Sequence, residues 1–183
     1  NLLLLPIAGV TKPGDFDHYT RMRCYQQVAS HYPPDSYILN LLPLAMRMAG
    51  PREAILHLII GRNFGCTHFV IGHEHASPGN CSKNKPFYAY DEAIKLASNA
   101  ANELSVKLIT FEEMVYLPFE DEYQAASEVS ENTDTISLSA NDIQQRIRTG
   151  KKVPEWATFP EVVTELQKSY PPPAKQGFTI LCT

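Results

Sequence analysis

Short apolar runs that alternate with stretches of helical spacing constrain this chain more than any other feature. Leu2–Ile7, Tyr37–Leu42, Thr67–Gly72 and Val106–Phe111 are near-continuous apolar segments of strand length. Such runs suit a parallel sheet covered on both faces, because apolar/polar alternation is lost when neither face meets water. Between them, Asp17–Tyr32 sets Tyr19, Met22, Tyr25, Val28 and Ala29 at a helix-like spacing. Pro51–Phe64 opens with a proline, whose missing N–H costs nothing in a first helical turn. Its apolar set is Ile55, Leu58, Ile59 and Phe64. Asp91–Leu104 starts with an aspartate suited to an N-cap and carries Ile94, Ala97, Ala101 and Leu104 on one face. This β-α-β-α-β-α-β order predicts an α/β fold built on a doubly wound parallel sheet.

The character changes after Pro118. Residues Glu120–Asp134 are acidic and read as loop. Ser139-Ala140-Asn141-Asp142 reads as a capping box that opens a helix running through Arg148 and stopping at Gly150. Trp156–Tyr170 predicts another short helix, ended by Pro171-Pro172-Pro173, a stiff extended linker. The expected organisation is an α/β domain over residues 1–134, a small mainly helical subdomain with a Pro-rich linker over 135–175, and a strand of something further from 176 to 183. Both ends are abrupt: the chain opens without methionine in mid-strand and closes on an apolar run, which suggests a fragment.

Composition narrows the partners. The chain has 183 residues, 44% of them hydrophobic and 20% charged, an ordinary globular balance. Its net charge of −4, without a long basic run, argues against a dedicated nucleic-acid surface. No apolar stretch approaches the ~20 residues that span a bilayer, and the N-terminal apolar run lacks the basic region of a signal peptide. Cys24, Cys66, Cys81 and Cys182 are widely spaced, as expected of small buried hydrophobes in a reducing, cytoplasmic setting.

Two constellations could carry chemistry. In Thr67–Gly79 an apolar strand ends at Gly72 and is followed by His73, Glu74, His75, Ala76 and Ser77. Ligands of open α/β sheets bind beyond the carboxyl ends of strands, and a glycine there lets a ligand approach the backbone. Two imidazoles around a carboxylate could donate to phosphate oxygens, move protons, or simply hydrogen-bond their neighbours. Cys66 and Cys81 bracket the histidines, but C-x6-H-x-H-x5-C matches no common zinc pattern, and no metal is assigned. The second constellation is Leu42–Ala54, where Arg47 and Arg52 flank Gly50-Pro51 at a predicted helix start. It reads either as an anion site or as Arg52 bracing the loop against Glu53 or Glu74.

The Gly72–Gly79 loop resembles the Gly-Arg-Asp-His-Ala-Gly-Pro-Gly stretch of ATP sulfurylases, the sulfate adenylyltransferases. Leu42–Ala54, Asn63–Phe69, Thr11–Arg21, Tyr116-Leu117-Pro118, Val153–Trp156 and Phe159–Val163 follow in that family's order and spacing. Gln176–Ile180 resembles the strand that leads into its adenylylsulfate-kinase-like domain. The resemblance implies a nucleotidyltransferase with a partial Rossmann-like domain, in which sulfate attacks the α-phosphorus of ATP and yields adenylyl sulfate and pyrophosphate. It implies that Gly72, His73, Glu74 and His75 contact ATP, that the Ala76 backbone meets sulfate, and that Met114 sits against adenine. ATP, with magnesium, enters as substrate; a homo-oligomer is a further expectation.

The sequence departs from the pattern at several places. His73 stands for the family's arginine, Glu74 for aspartate and Ser77 for glycine; Leu138-Ser139-Ala140-Asn141 stands for Ile-Ser-Gly-Thr. The family's Gln-x-Arg-Asn and His-x-x-His segments lie upstream of the strand that opens this chain. Catalytic residues are therefore unassigned, and the chain by itself is expected to hold half an active site. A non-catalytic homologue that binds nucleotide or serves assembly is the alternative.

Overall fold

Each apolar run supplies a strand, though a shorter one than the run itself. The computed structural model describes residues 1–9, 16–81, 85–130, 132–171 and 177. In chain order the elements are β1 (Leu2–Leu4), α1 (His18–Ala29), β2 (Tyr37–Leu39), α2 (Pro51–Asn63), β3 (His68–Ile71) and α3 (Glu92–Leu104). They continue with β4 (Lys107–Thr110), β5 (Met114–Leu117), β6 (Glu122–Ala125), α4 (Ala140–Thr149) and α5 (Pro160–Ser169). The chain divides into two compact units, one of Asn1–Ala45 with Met114–Thr183 and one of Met46–Glu113.

In the first unit β1 and β2 pair in parallel, Leu2 opposite Tyr37 and Leu4 opposite Leu39, with one further bridge from Ile7 to Leu42. Helix α1 is capped as its sequence dictates: the Asp17 carboxylate accepts from the Thr20 backbone N–H at 2.9 Å. Its buried positions are Thr20 and Ala29, whereas Tyr19 and Tyr25, expected on the apolar face, are exposed. The reason is its partner. Helix α5 meets α1 through polar groups, with Arg23 Nε donating to the buried Glu165 carboxylate at 3.0 Å, and Lys168 donating to the same carboxylate.

The acidic stretch expected to be loop contains β6, a correction to the sequence reading. It pairs antiparallel with β5, Tyr116 opposite Tyr123. The Tyr116 hydroxyl donates to Asp121 in the connecting turn at 2.6 Å, and its ring stacks on Trp156 with centroids 4.4 Å apart. Helix α4 has its predicted capping box, Ser139 Oγ accepting from Asp142 N–H while the Asp142 carboxylate accepts from Ser139 N–H. It ends on Gly150 at φ +73°. Helix α5 is shorter than the predicted Trp156–Tyr170, because Pro160 opens it. The expected strand after Gln176 lies outside the described residues, as do Pro172 and Pro173 of the linker.

In the second unit β3 and β4 pair in parallel from His68–Lys107 to Ile71–Thr110. Helices α2 and α3 pack on each other and on this pair. The core is Ala54, Ile71, Ala93 and Ala97 in one cluster and Leu58, Ala101 and Val106 in another, with Phe69 and Leu108 against both. Alanines on α3 let α2 approach closely, and the predicted α3 face holds. The α2 face is rotated from the predicted one. Ala54 and Leu58 are fully buried, while Ile59 and Phe64 are exposed. The β3–β4 pair is covered on one face only: Ile71 is 1% exposed, but Val70 and Ile109 are 49% and 38% exposed. Among the described residues the parallel strands thus form two-stranded pairs within an α/β chain.

Candidate functional site

The turn after β3 is built by its own backbone. His75 N–H bonds the Gly72 carbonyl at 3.3 Å and Ser77 N–H bonds the Glu74 carbonyl at 3.0 Å. Ala76 sits at φ +54°, a left-handed conformation that a non-glycine residue adopts only when its surroundings enforce it. Its carbonyl accepts from Gly50 N–H at 3.0 Å, which joins this turn to the loop that opens α2. Glu53, 3% exposed, fixes that loop: its carboxylate accepts from Arg47 N–H at 2.8 Å and Ala49 N–H at 2.9 Å.

The two histidines of the turn live in opposite electrostatic environments. His73 Nδ1 lies 2.8 Å from Asp91 Oδ1, and His73 Nε2 lies 2.9 Å from the Phe111 carbonyl. Both partners only accept, so both ring nitrogens carry protons there. The hydrogen bond to Asp91 raises the His73 pKa above the usual histidine value, with the Phe111 carbonyl and the Glu112 charge acting in the same sense. The ring stacks on Tyr90, centroids 4.5 Å apart and 11° from parallel. His75 is held instead by His57 of α2, with His75 Nε2 2.9 Å from His57 Nδ1. Burial lowers the pKa of both, His57 further depresses that of His75, and the Glu53 charge opposes the shift at each. Hydrogen bonding thus favours the charged form of one histidine of the turn, and burial favours the neutral form of the other.

Gly72, His73, Glu74, His75, Ala76, Arg47 and Arg52 all fall in the Met46–Glu113 unit, and Met114 begins the β5 strand of the other unit. Arg47 and Arg52 are exposed at the start of α2, and among the described residues neither forms an ion pair with Glu53 or Glu74. The expected bracing of the loop is carried out by Glu53 through backbone N–H groups instead. A Cβ added at Gly72 would meet nothing within 4 Å, so the space beyond β3 is open there. The turn borders a shallow depression lined by Gly50, Pro51, His73, His75, Tyr88 and Tyr90. Among the described residues no group of three His, Cys, Asp or Glu side chains is placed to hold a metal ion. Cys24 and Cys66 are free thiols, and no described helix is long and apolar enough to cross a membrane.

Sequence reasoning missed three residues of this site. Asp91 was expected to cap α3, yet its side chain makes no cap hydrogen bond and turns to His73. His57 and Tyr90 gave no signal beyond residue type, since only the packing of α2 and the entry to α3 against the turn brings them there.

Fold and site together define a mixed α/β protein whose polar turn lies at the carboxyl end of a parallel strand, beside a helix start with two exposed arginines. A family model described as ATP-sulfurylase matches residues 1–169. The chain belongs to the ATP-sulfurylase family. It is 48% identical over all 183 residues to proteins named sulfate adenylyltransferase from Mycosarcoma maydis and Yarrowia lipolytica, and 47% identical to that of Aspergillus terreus. In each case it spans 32% of the relative's length, about a third. Among solved structures it is similar to a chain described as a hexameric APS kinase from Thiobacillus denitrificans. The TM-score is 0.71 and the identity 30%, covering 94% of this chain and 31% of that one.

Proposed function

We propose that the polypeptide carrying this chain is a sulfate adenylyltransferase. A sulfate oxygen forms a bond to the α-phosphorus of ATP, the bond from that phosphorus to the bridging oxygen breaks, and pyrophosphate leaves with the electron pair. The observation that carries the reading is the Gly72–Ala76 turn, set at the end of a parallel strand in a chain nearly half identical to enzymes of that name. Gly72, His73, Glu74 and His75 line the nucleotide, the Ala76 backbone meets sulfate, and Met114 meets adenine. Arg47 and Arg52 supply fixed positive charge for an anion. Open space at Gly72 and the exposure of both arginines support these roles. Magnesium would arrive on the ATP phosphates. Transfer of this kind relies on positioning and on stabilising charge at phosphoryl oxygens.

The finer fold reading belongs to the same proposal. The parallel β1–β2 and β3–β4 pairs support a doubly wound, Rossmann-like nucleotidyltransferase domain over residues 1–134. A small helical subdomain with its linker would occupy 135–175, and 176–183 would start a kinase-like domain. A cytoplasmic location accords with the free thiols, and a homo-oligomer with the hexameric neighbour. The test is adenylyl sulfate formation from ATP and sulfate by the complete protein; a folded protein that makes none refutes the assignment.

A second reading, a non-catalytic homologue that binds nucleotide or serves assembly, is favoured by one observation. Both His73 nitrogens are committed to Asp91 and Phe111, so this residue has no N–H left for phosphate. His73→Arg separates the two readings. An ATP affinity raised about tenfold or more without any turnover supports the second, because a charge-assisted contact of that size would have been restored. Turnover in the wild type excludes it.

A further inference from the structure

His57 is the buried polar group that the proposed chemistry leaves unused. Its side chain is 10% exposed, and its Nε2 is buried and has no hydrogen-bond partner among the described residues. The charge nearest that nitrogen is Glu53 Oε1, 3.9 Å away on the preceding turn of α2, and Glu53 is itself 2% exposed. On its other side His57 Nδ1 meets His75 Nε2 at 2.9 Å, with the two rings 76° apart.

A hydrogen bond between two neutral imidazoles holds one proton, so two arrangements are open. If His57 Nδ1 donates, His57 Nε2 is a bare lone pair, buried and facing a buried carboxylate. Like then faces like in a low dielectric. If His75 Nε2 donates, His57 Nδ1 accepts and the single N–H proton of the His57 ring lies on Nε2, where its dipole faces the carboxylate. Glu53 cannot rotate away to relieve the first arrangement, because its two oxygens are tied to Arg47 and Ala49 N–H groups. The second arrangement therefore prevails. The groups facing the pair are Glu53 and the apolar edge of Phe69, 6.0 Å from the His75 ring and 67° from its plane.

We infer that His57 is a positioning residue: with Glu53 it holds His75 as the Nε2–H tautomer, so that Nδ1 of His75 is a hydrogen-bond acceptor. This rests on the nucleotide reading of the turn and refines it. A neutral acceptor nitrogen takes a hydroxyl or amino group of the nucleoside and repels a phosphate oxygen. His75 thus recognises the nucleoside part of the ligand, and phosphate binding falls to the fixed cations.

The test uses the complete protein with 15N-labelled histidine and solid-state NMR at neutral pH, His75 being assigned by difference against His57 variants. The expected result is a proton on His75 Nε2 and none on Nδ1. His57→Asn keeps an acceptor where Nδ1 stood and retains this tautomer. His57→Phe loses it and weakens ATP binding by about threefold to tenfold, the size of one neutral hydrogen bond, while pyrophosphate binding is unchanged. A wild-type His75 proton on Nδ1 overturns the proposal. So does a His57→Phe protein with the tautomer intact, or one that loses pyrophosphate and ATP equally. A wild type with the expected tautomer that binds neither ATP nor pyrophosphate supports the positioning role and refutes the nucleotide reading alone.

Discussion

Replacing Gly50 with alanine tests whether the α2 entry loop and the turn after β3 are one construction. Gly50 lies at φ +51°, ψ −116°, the first central position of a type II′ turn, which side chains strongly disfavour. Holding alanine there costs on the order of 1–3 kcal/mol. The added Cβ would also lie 2.5 Å from Tyr88 Cδ2 and 3.0 Å from its Cγ, too close for the ring to remain. Because Cγ sits at the root of the side chain, Tyr88 must change rotamer, and overpacking of this kind adds roughly 1–3 kcal/mol. The sum is about 2–6 kcal/mol, directed at a loop whose Gly50 N–H bonds the Ala76 carbonyl. Gly72→Ala is the control: nothing lies within 4 Å of its Cβ, and its cost stays within about 0.5 kcal/mol. Amide exchange of α2 peptides in the complete protein reads the difference locally. The expected result is exchange at least about tenfold faster in Gly50→Ala than in Gly72→Ala. Equal exchange in the two variants would refute the argument that glycine is required at 50 by shape.

Stability should peak near the ordinary histidine pKa of 6.5. The raised His73 pKa stabilises below that value, and its contribution is lost as pH rises through the folded-state pKa. The lowered values of His57 and His75 act oppositely, stability falling as pH drops below 6.5 and the buried rings must charge. Denaturant midpoints from pH 5 to 8 test this, and His73→Gln removes only the alkaline arm. Leu58→Ala empties a fully buried position and costs about 2–5 kcal/mol by the same exchange measurement, against under about 1 for the exposed Ile59→Ala. Ser139→Ala removes half of a capping box and costs α4 about 1 kcal/mol, read as faster exchange in its first turn.

Much of this was legible from pattern, because local rules governed it. The Ser139 box, the Gly150 stop and the Pro51 start each depend on groups within a few residues. The α3 face was legible too, since small apolar residues recur there at helical spacing. What stayed hidden depends on partners distant in sequence. Helix α2 is apolar on more than one side, so periodicity found Leu58 but could not choose Ala54 over Ile59 and Phe64. Helix α1 buries a threonine because a polar helix covers it. The β6 strand was masked by its acidic neighbours, although Asp121 in the turn accepts the Tyr116 hydroxyl. At the site, the turn after β3 stood out by composition. Its histidine protonation states did not, since both depend on side chains 18 residues away in sequence, Asp91 from His73 and His57 from His75.

Asp91 stands at the head of α3 and gives its carboxylate to His73 rather than to the helix. The Asp91 backbone lies at φ −100°, ψ 7°, not in the extended region that the Asp17 and Ser139 caps occupy, so its carboxylate is placed for the imidazole and not for the first-turn N–H groups. Helix α3 forgoes a side-chain cap, and the turn after β3 is moored to its head instead.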